Sequence, residues 1–202
     1  MRLILVTIIL GCIMLAGCMP QKQADSTADT ATSQDITTNQ TEPMAKKLLQ
    51  FQVTGYADKG RIPSKYATKG GGGENVSIGL KWQILPAAQS YALLFDDKHP
   101  VANNWVHWLV VDIPNTVNEI AEGASRTDMP EGSRELKTSW KRTGYDGPQP
   151  PAGSGDHEYV ATLYALDIPK LSLTEDTTRD EFLSAIEGHV IAKESWSGYF
   201  KR

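Results

Sequence analysis

The sequence predicts a mainly β fold, a sandwich or barrel with peripheral strands and one short helix near the C-terminus. Three observations carry this. From residue 48 onward the apolar runs are short and rich in Val, Ile, Tyr, Phe and Trp. Clusters of Gly, Pro, Asn and Asp separate them at intervals that suit strand-to-strand connections rather than alternating strands and helices. Only one stretch, Thr178 to Ile186, shows helical spacing of apolar residues behind a capping signal.

The chain has 202 residues, and its first part precedes the β pattern. Met1 and Arg2 form a positive start, Leu3 to Gly17 is almost wholly apolar, and the run closes on Leu15-Ala16-Gly17-Cys18. A membrane-spanning helix needs about 20 apolar residues, and this shorter run lacks a basic stop-transfer flank, so residues 1–17 read as an export leader. The ending resembles the bacterial lipoprotein cleavage box. That resemblance implies diacylation of Cys18 through its thiol, a mature chain starting at Cys18, and attachment to a membrane, each buried methylene contributing roughly 0.8 kcal/mol. Met19 follows the cysteine, where an aspartate is associated with inner-membrane retention; the expected location is the cell envelope, with the outer membrane favoured in an organism that has one.

Cys12 lies in the leader and Cys18 is the lipid site, so the exported domain has no thiol. A disulfide, a Cys-ligated zinc and a cysteine nucleophile are thereby excluded. Loss of Arg2 with the leader moves the formal charge from −4 to −5, a balance that excludes nucleic acid as a general partner. Residues 18–45 are mostly Thr, Gln, Ser, Asp and Ala with no aromatic residue, a composition that cannot bury enough surface to order itself. As a coil, such a tether spans on the order of 25 to 30 Å.

The domain, residues 46–202, contains all five tryptophans. Its expected strands, in order, are 48–56 (LLQFQVTGY), 76–84 (VSIGLKWQI), 90–96 (SYALLFD), 105–113 (WVHWLVVDI), 158–167 (EYVATLYALD) and 188–200 (GHVIAKESWSGYF). In 105–113, strict alternation sets Trp105, His107 and Leu109 on one face and Val106, Trp108 and Val110 on the other. The helix begins at a capping box, Thr178 with Glu181 three residues on; Phe182, Leu183, Ala185 and Ile186 form its apolar face, and Gly188 ends it.

The motifs divide unevenly. KGGGGEN (69–75) invites a phosphate-loop reading, but a Walker loop places its lysine after the glycines, so this reads as a flexible surface loop. Ser154, in Ala152-Gly153-Ser154-Gly155, does not fit the Gly-x-Ser-x-Gly elbow of serine hydrolases. Four histidines are present: His99, His107, His157 and His189. His107 in an apolar strand reads on periodicity as a core residue with its hydrogen bonds satisfied. His157 stands where the PPAGSGDHEY loop enters a strand, and Asp96 ends another, so both can sit at the mouth of a sheet. Two histidines, a carboxylate and a tyrosine suit either an anion pocket or a two-His-one-carboxylate metal site, and spacing does not choose.

Three segments resemble the phosphatidylethanolamine-binding (Raf kinase inhibitor-like) family in its bacterial branch. They are RIPSKYATKGGGGENVSIGLKW (61–82), FDDKHPVANNWVHWLVVDIP (95–114) and GYDGPQPPAGSGDHEYVATLYALD (144–167), the last being the most specific. The resemblance implies a small anion pocket walled by Asp96, His107, Pro150, Pro151, His157 and Tyr159, with His157 as its donor. It implies neither a catalytic residue nor a metal or other cofactor. Three departures bear on the rim: Lys98 replaces an aspartate of the family motif and is placed near the mouth, Ser77-Ile78-Gly79-Leu80 stands where the family has Ser-Pro-Pro-Leu, and four glycines stand at 70–73. The expected function is that of an exported, membrane-tethered binding protein, monomer or homodimer, for a small phosphorylated or carboxylated ligand. Kinase inhibition does not transfer to an exported lipoprotein. The alternatives are a metal-dependent or general-base hydrolase using Asp96, His107 and His157, and an envelope or host interaction protein with a vestigial pocket.

Overall fold

The computed structural model describes residues 48–202. The expected leader, Cys18 and the tether lie outside the described residues. Two sheets face each other. The smaller contains β1 (Gln52–Thr54), β3 (Gly79–Lys81) and β6 (Glu119–Ile120) in the order β1-β3-β6. The larger has the order β2-β9-β8-β4-β5-β7, from β2 (Gly60–Arg61), β9 (Val190–Phe200), β8 (His157–Leu166), β4 (Ser90–Asp97), β5 (Trp105–Pro114) and β7 (Arg134–Glu135). All six expected strand segments contain a strand, although the first two shrink to three residues each. The two-residue strands β2, β6 and β7 were not expected; they carry too few side chains to make a pattern.

The large sheet is covered on both faces, and this decides how its central strands read. One face packs on the small sheet, with Val53, Leu80 and Ile120 meeting Leu93, Phe95, Trp108, Val110, Tyr159 and Leu163. The other packs Ala92, Leu94, Leu109, Val111 and Leu166 under Leu171, Phe182 and Ile186. All eight residues of β4 are therefore buried, and a run with no polar face shows no period of two. The helix α1 (Arg179–Ile186) that covers the second face starts as expected: the Thr178 hydroxyl accepts from the Glu181 N–H and the Glu181 carboxylate accepts from the Thr178 N–H. It precedes β9, which is the last element among the described residues.

Strict alternation fails in β5. Phe95 pairs with Trp108 and the next residue, Asp96, pairs with Val106, so one extra residue of β5 bulges at His107. Val106 stays on the helix-covered face with Leu109 and Val111, while His107 and Trp108 both turn to the side of Phe95 and Tyr159. The bulge is what brings an imidazole out of a hydrophobic strand and into the site described below.

The 69–75 segment also departs from expectation. It is a packed loop: a 3-10 turn, Lys69–Gly71, capped by the Thr68 hydroxyl, which accepts from the Gly71 N–H at 2.9 Å. Its neighbours in space are the residues leading to the Pro150 loop. Thr68 N–H donates to the Pro148 carbonyl (3.2 Å), Asn75 Nδ2 donates to the Tyr145 carbonyl (3.3 Å), and Asn75 Oδ1 accepts from the Gly147 N–H (2.9 Å).

Candidate functional site

Three strands of the large sheet end together. β4 and β8 are paired in register with Asp97 opposite Tyr159, so these side chains emerge side by side on the sandwich face. The bulge adds His107 from β5, and His157 opens β8. With Pro150 and Pro151 these residues wall a cleft of about 260 Å³. Val101, Trp105 and Trp140 add apolar surface to its lining, and Gln149 adds a polar side chain.

Five of the six expected pocket residues are thus brought together; Asp96 is not among them. It lies on the opposite, helix-covered face, where its Oδ2 accepts from Lys98 Nζ (2.6 Å) and Arg179 Nε (2.9 Å). The carboxylate on the cleft is Asp97. The reason is parity: along β4 the cleft side carries Tyr91, Leu93, Phe95 and Asp97, and Asp96 shares the face of Ala92 and Leu94. Lys98 follows Asp96 to that face and does not line the cleft.

Asp97 holds His157. The imidazole is fully buried; its Nδ1–H donates to Asp97 Oδ2 at 2.6 Å, and the other carboxylate oxygen accepts from the His99 N–H at 2.9 Å. The His157 Nε2 lies 2.9 Å from Ser154 Oγ, and the same oxygen lies 2.7 Å from the Pro151 carbonyl, so the one hydroxyl hydrogen is contested by two acceptors. The His99 ring stacks on the His157 ring, with centroids 3.9 Å apart and planes 15° from parallel. Both nitrogens of His157 are therefore engaged within the protein, and its Nε2 reaches a ligand only if Ser154 gives way. Asp97, His157 and Ser154 have the spacing of a nucleophile, base and orienting acid, but Ser154 is not among the residues lining the cleft.

His107 is arranged differently. Its Nδ1 meets two carbonyls, those of Asp146 (2.7 Å) and Gly147 (3.1 Å), which only accept, so Nδ1 carries the hydrogen. Nε2 remains for the cleft. Burial pushes the imidazole below its ordinary pKa, against the opposing pull of the two carbonyls and the Asp97 charge. Tyr159 stands between the histidines, 5.0 Å from the His107 ring and 6.3 Å from that of His157. It is completely buried, and its hydroxyl has no hydrogen bond of normal geometry. Burial first, then the Asp97 charge, raises its pKa far above the usual phenol range, so it remains a neutral donor.

Among the described residues, no group of three or more His, Cys, Asp or Glu is placed to hold a metal ion. His157 has Asp97 on its Nδ1 and Ser154 Oγ on its Nε2, so neither nitrogen is presented free to the cleft. His189 lies elsewhere, its Nδ1 2.9 Å from Asp167. Sequence reasoning missed Asp97, His99, Trp140 and Gln149. None of them carried a signal in the sequence: Asp97 shares the parity of Phe95, but in a strand buried on both faces nothing marks which parity meets the cleft.

Comparison with known proteins agrees with this architecture. Residues 52–201 match the family model described as phosphatidylethanolamine-binding protein. A UPF0098 protein of Methanothermobacter thermautotrophicus is 35% identical over 156 residues, covering 76% of this chain and 99% of that protein. The putative lipoprotein LppC of Mycobacterium tuberculosis is 37% identical over 113 residues, 56% of this chain, and the match spans about half, 53%, of LppC. Among solved structures, Escherichia coli YbcL, a member of the mammalian PEBP family, superposes with a TM-score of 0.71 over 77% of this chain and 99% of YbcL at 23% identity.

Proposed function

The chain belongs to the phosphatidylethanolamine-binding protein family, and from that premise we propose that it is an exported, membrane-tethered binding protein whose cleft takes one small anionic group, phosphoryl or carboxylate, without reacting with it. One observation carries the reading: the Tyr159 hydroxyl, on a residue of the cleft wall, is buried and among the described residues makes no hydrogen bond of normal geometry, with only the Asp97 carboxylate and the Gln149 backbone beside it. An orphaned buried donor costs about 1 to 3 kcal/mol, and a ligand oxygen placed against it recovers that cost. Pro150 and Pro151 are rigid, so little conformational freedom is lost when the cleft fills. Asp97 limits the class of ligand. Its charge repels an anion unless a donor stands between them, and the donors available are Tyr159 and a protonated His107. The tether rests on the Leu-Ala-Gly-Cys signal at Cys18 and on the likeness to a putative lipoprotein.

The test is calorimetric titration of the purified chain with inorganic phosphate, methylphosphonate and acetate, on wild type and Tyr159→Phe. Saturable binding to wild type, weakened about tenfold by loss of the one hydroxyl, is expected. No heat and no thermal shift with any of the three in wild type overturns the reading. The Asp97, His157 and Ser154 chain also invites a hydrolase reading. Against it stand the Ser154 hydrogen bond to Pro151 and the position of Ser154 off the cleft lining. A fluorophosphonate probe is expected to leave Ser154 unlabelled; stoichiometric labelling lost in Ser154→Ala would establish the enzyme instead.

The low pKa of His107 makes binding proton-linked. In the empty cleft its neutral Nε2 is an acceptor, so an anion seated against it must bring a proton onto that nitrogen. The bound anion raises the pKa that burial lowered, and binding therefore tightens as pH falls between the two values. Sulfate keeps its charge across this range, so its pH dependence reports the protein. Its affinity is expected to rise by up to about tenfold per unit as pH drops through and below roughly 6.5, and to be flat in His107→Gln. Stability of the empty protein moves the opposite way. The unfolded chain protonates His107 more readily, so stability falls as pH drops below about 6.5. A flat sulfate profile in wild type removes His107 from the site.

A further inference from the structure

A second cleft, of about 340 Å³, shares the Gln149 wall with the first. It is lined by Lys69, Arg126, Arg142 and the buried Asp146. Both guanidinium groups reach the same carboxylate: Arg142 Nη2 at 2.8 Å and Arg126 Nη2 at 3.3 Å from Asp146 Oδ1, while Arg142 Nε and the Thr138 hydroxyl donate to Oδ2 at 3.1 and 2.8 Å. Backbone carbonyls fix Arg126 further, Thr143 accepting from Nε and Tyr145 from Nη1, each at 2.6 Å. Lys69 has no ion pair among the described residues. Three cations thus line a cleft that holds one carboxylate, in a chain whose formal charge is −4. Arginines held in place before a ligand arrives, with one carboxylate too few, form an anion site in which little ordering remains to be done. The two clefts also share backbone: the carbonyls of Asp146 and Gly147 hold the Nδ1–H of His107 in the first, while the Asp146 carboxylate orders the arginines of the second.

We propose that the Lys69, Arg126 and Arg142 cleft is a second anion subsite, which receives the distal phosphate of a small ligand bearing two phosphoryl groups while its proximal phosphate occupies the His107 and Tyr159 cleft. This rests on the reading of the first cleft, and it narrows the ligand class to bis-phosphorylated compounds.

The experiment compares methylphosphonate with a series of α,ω-alkane bisphosphonates of increasing length by calorimetry on the full chain in detergent. At one matching length a bisphosphonate is expected to bind at least tenfold tighter than methylphosphonate, with one ligand per chain. Lys69→Gln with Arg142→Gln is expected to abolish that gain and to keep methylphosphonate affinity within twofold. The melting temperature of the double variant, and a second variant with Lys69→Gln alone that keeps every Asp146 contact, guard against a loss caused by misfolding. Methylphosphonate binding with no gain at any length overturns the second subsite and leaves the first reading standing. A gain that survives both variants also overturns it. Failure of methylphosphonate and every bisphosphonate to bind sinks the reading of the first cleft and this inference with it.

Discussion

Asp97→Ala is expected to destabilise the domain by about 3 kcal/mol or more, and Asp96→Ala by roughly 1 to 2, although both carboxylates are buried and both are paired. The difference lies in their partners. Asp97 accepts from His157, whose side chain is 1% exposed and cannot turn to water, so alanine leaves a polar hydrogen orphaned in the interior. Asp96 accepts from Lys98 and Arg179, whose side chains are 31% and 24% exposed, and both can swing outward when it is gone. The two variants should also separate at the site. Without Asp97, the His157 ring loses the group that sets its tautomer and His99 loses the acceptor for its N–H, so the stacked pair of imidazoles is released. Without Asp96, anion binding should stay within about twofold. Chemical denaturation with the NMR signal of the His157 Nδ1–H as a second readout decides this. An Asp96 variant that loses that signal, or an Asp97 variant that keeps it with unchanged stability, would place the wrong carboxylate on the cleft.

Why sequence reasoning reached the neighbour of the right residue follows from the packing. Most of the fold was legible where one side of an element is wet: the helix was visible from Thr178, Glu181 and its apolar face, and the β8 strand from the loop before it. β4 was legible as a strand but not as two faces, because the small sheet covers one side and α1 the other, and SYALLFDD carries no charged or strongly polar residue between Ser90 and the closing Asp96-Asp97 pair. With no internal marker of parity, Asp96 and Asp97 are indistinguishable by pattern. His107 was hidden in another way. A bulge is a property of the pairing between two strands, and the β5 sequence alone reads as regular alternation. The residues drawn from distant loops, Trp140 and Gln149, carried no local signal. The PPAGSGDHEY stretch read correctly as a turn into a strand, yet the donor role expected of His157 is qualified by Ser154, which sits three residues before it and already holds its Nε2.

The four-glycine segment yields the other large expected effect, because its glycines serve different ends. A Cβ on Gly73 would stand 2.0 Å from the Ser64 carbonyl oxygen and 2.3 Å from that of Ala67, contacts with backbone that cannot rotate aside. Gly73→Ala must push the 64–67 turn away, and overpacking against rigid backbone costs about 3 kcal/mol or more. Gly72 is open, with nothing within 4 Å of its Cβ direction, but has φ of +87°; Gly72→Ala should cost only about 1 kcal/mol. The damage from Gly73→Ala should travel. The displaced turn carries the Tyr66 carbonyl that accepts from the Tyr145 hydroxyl at 2.9 Å, and that same carbonyl lies against Gly147, whose own carbonyl holds His107. Loss of the brace frees the His107 ring, so sulfate affinity should fall together with stability in Gly73→Ala and stay within about twofold in Gly72→Ala. Denaturation midpoints and sulfate titration on the pair settle the matter. Equal, small losses in both variants would mean that the loop is an ordinary surface excursion, whereas the expected asymmetry identifies it as the support for the cleft from behind.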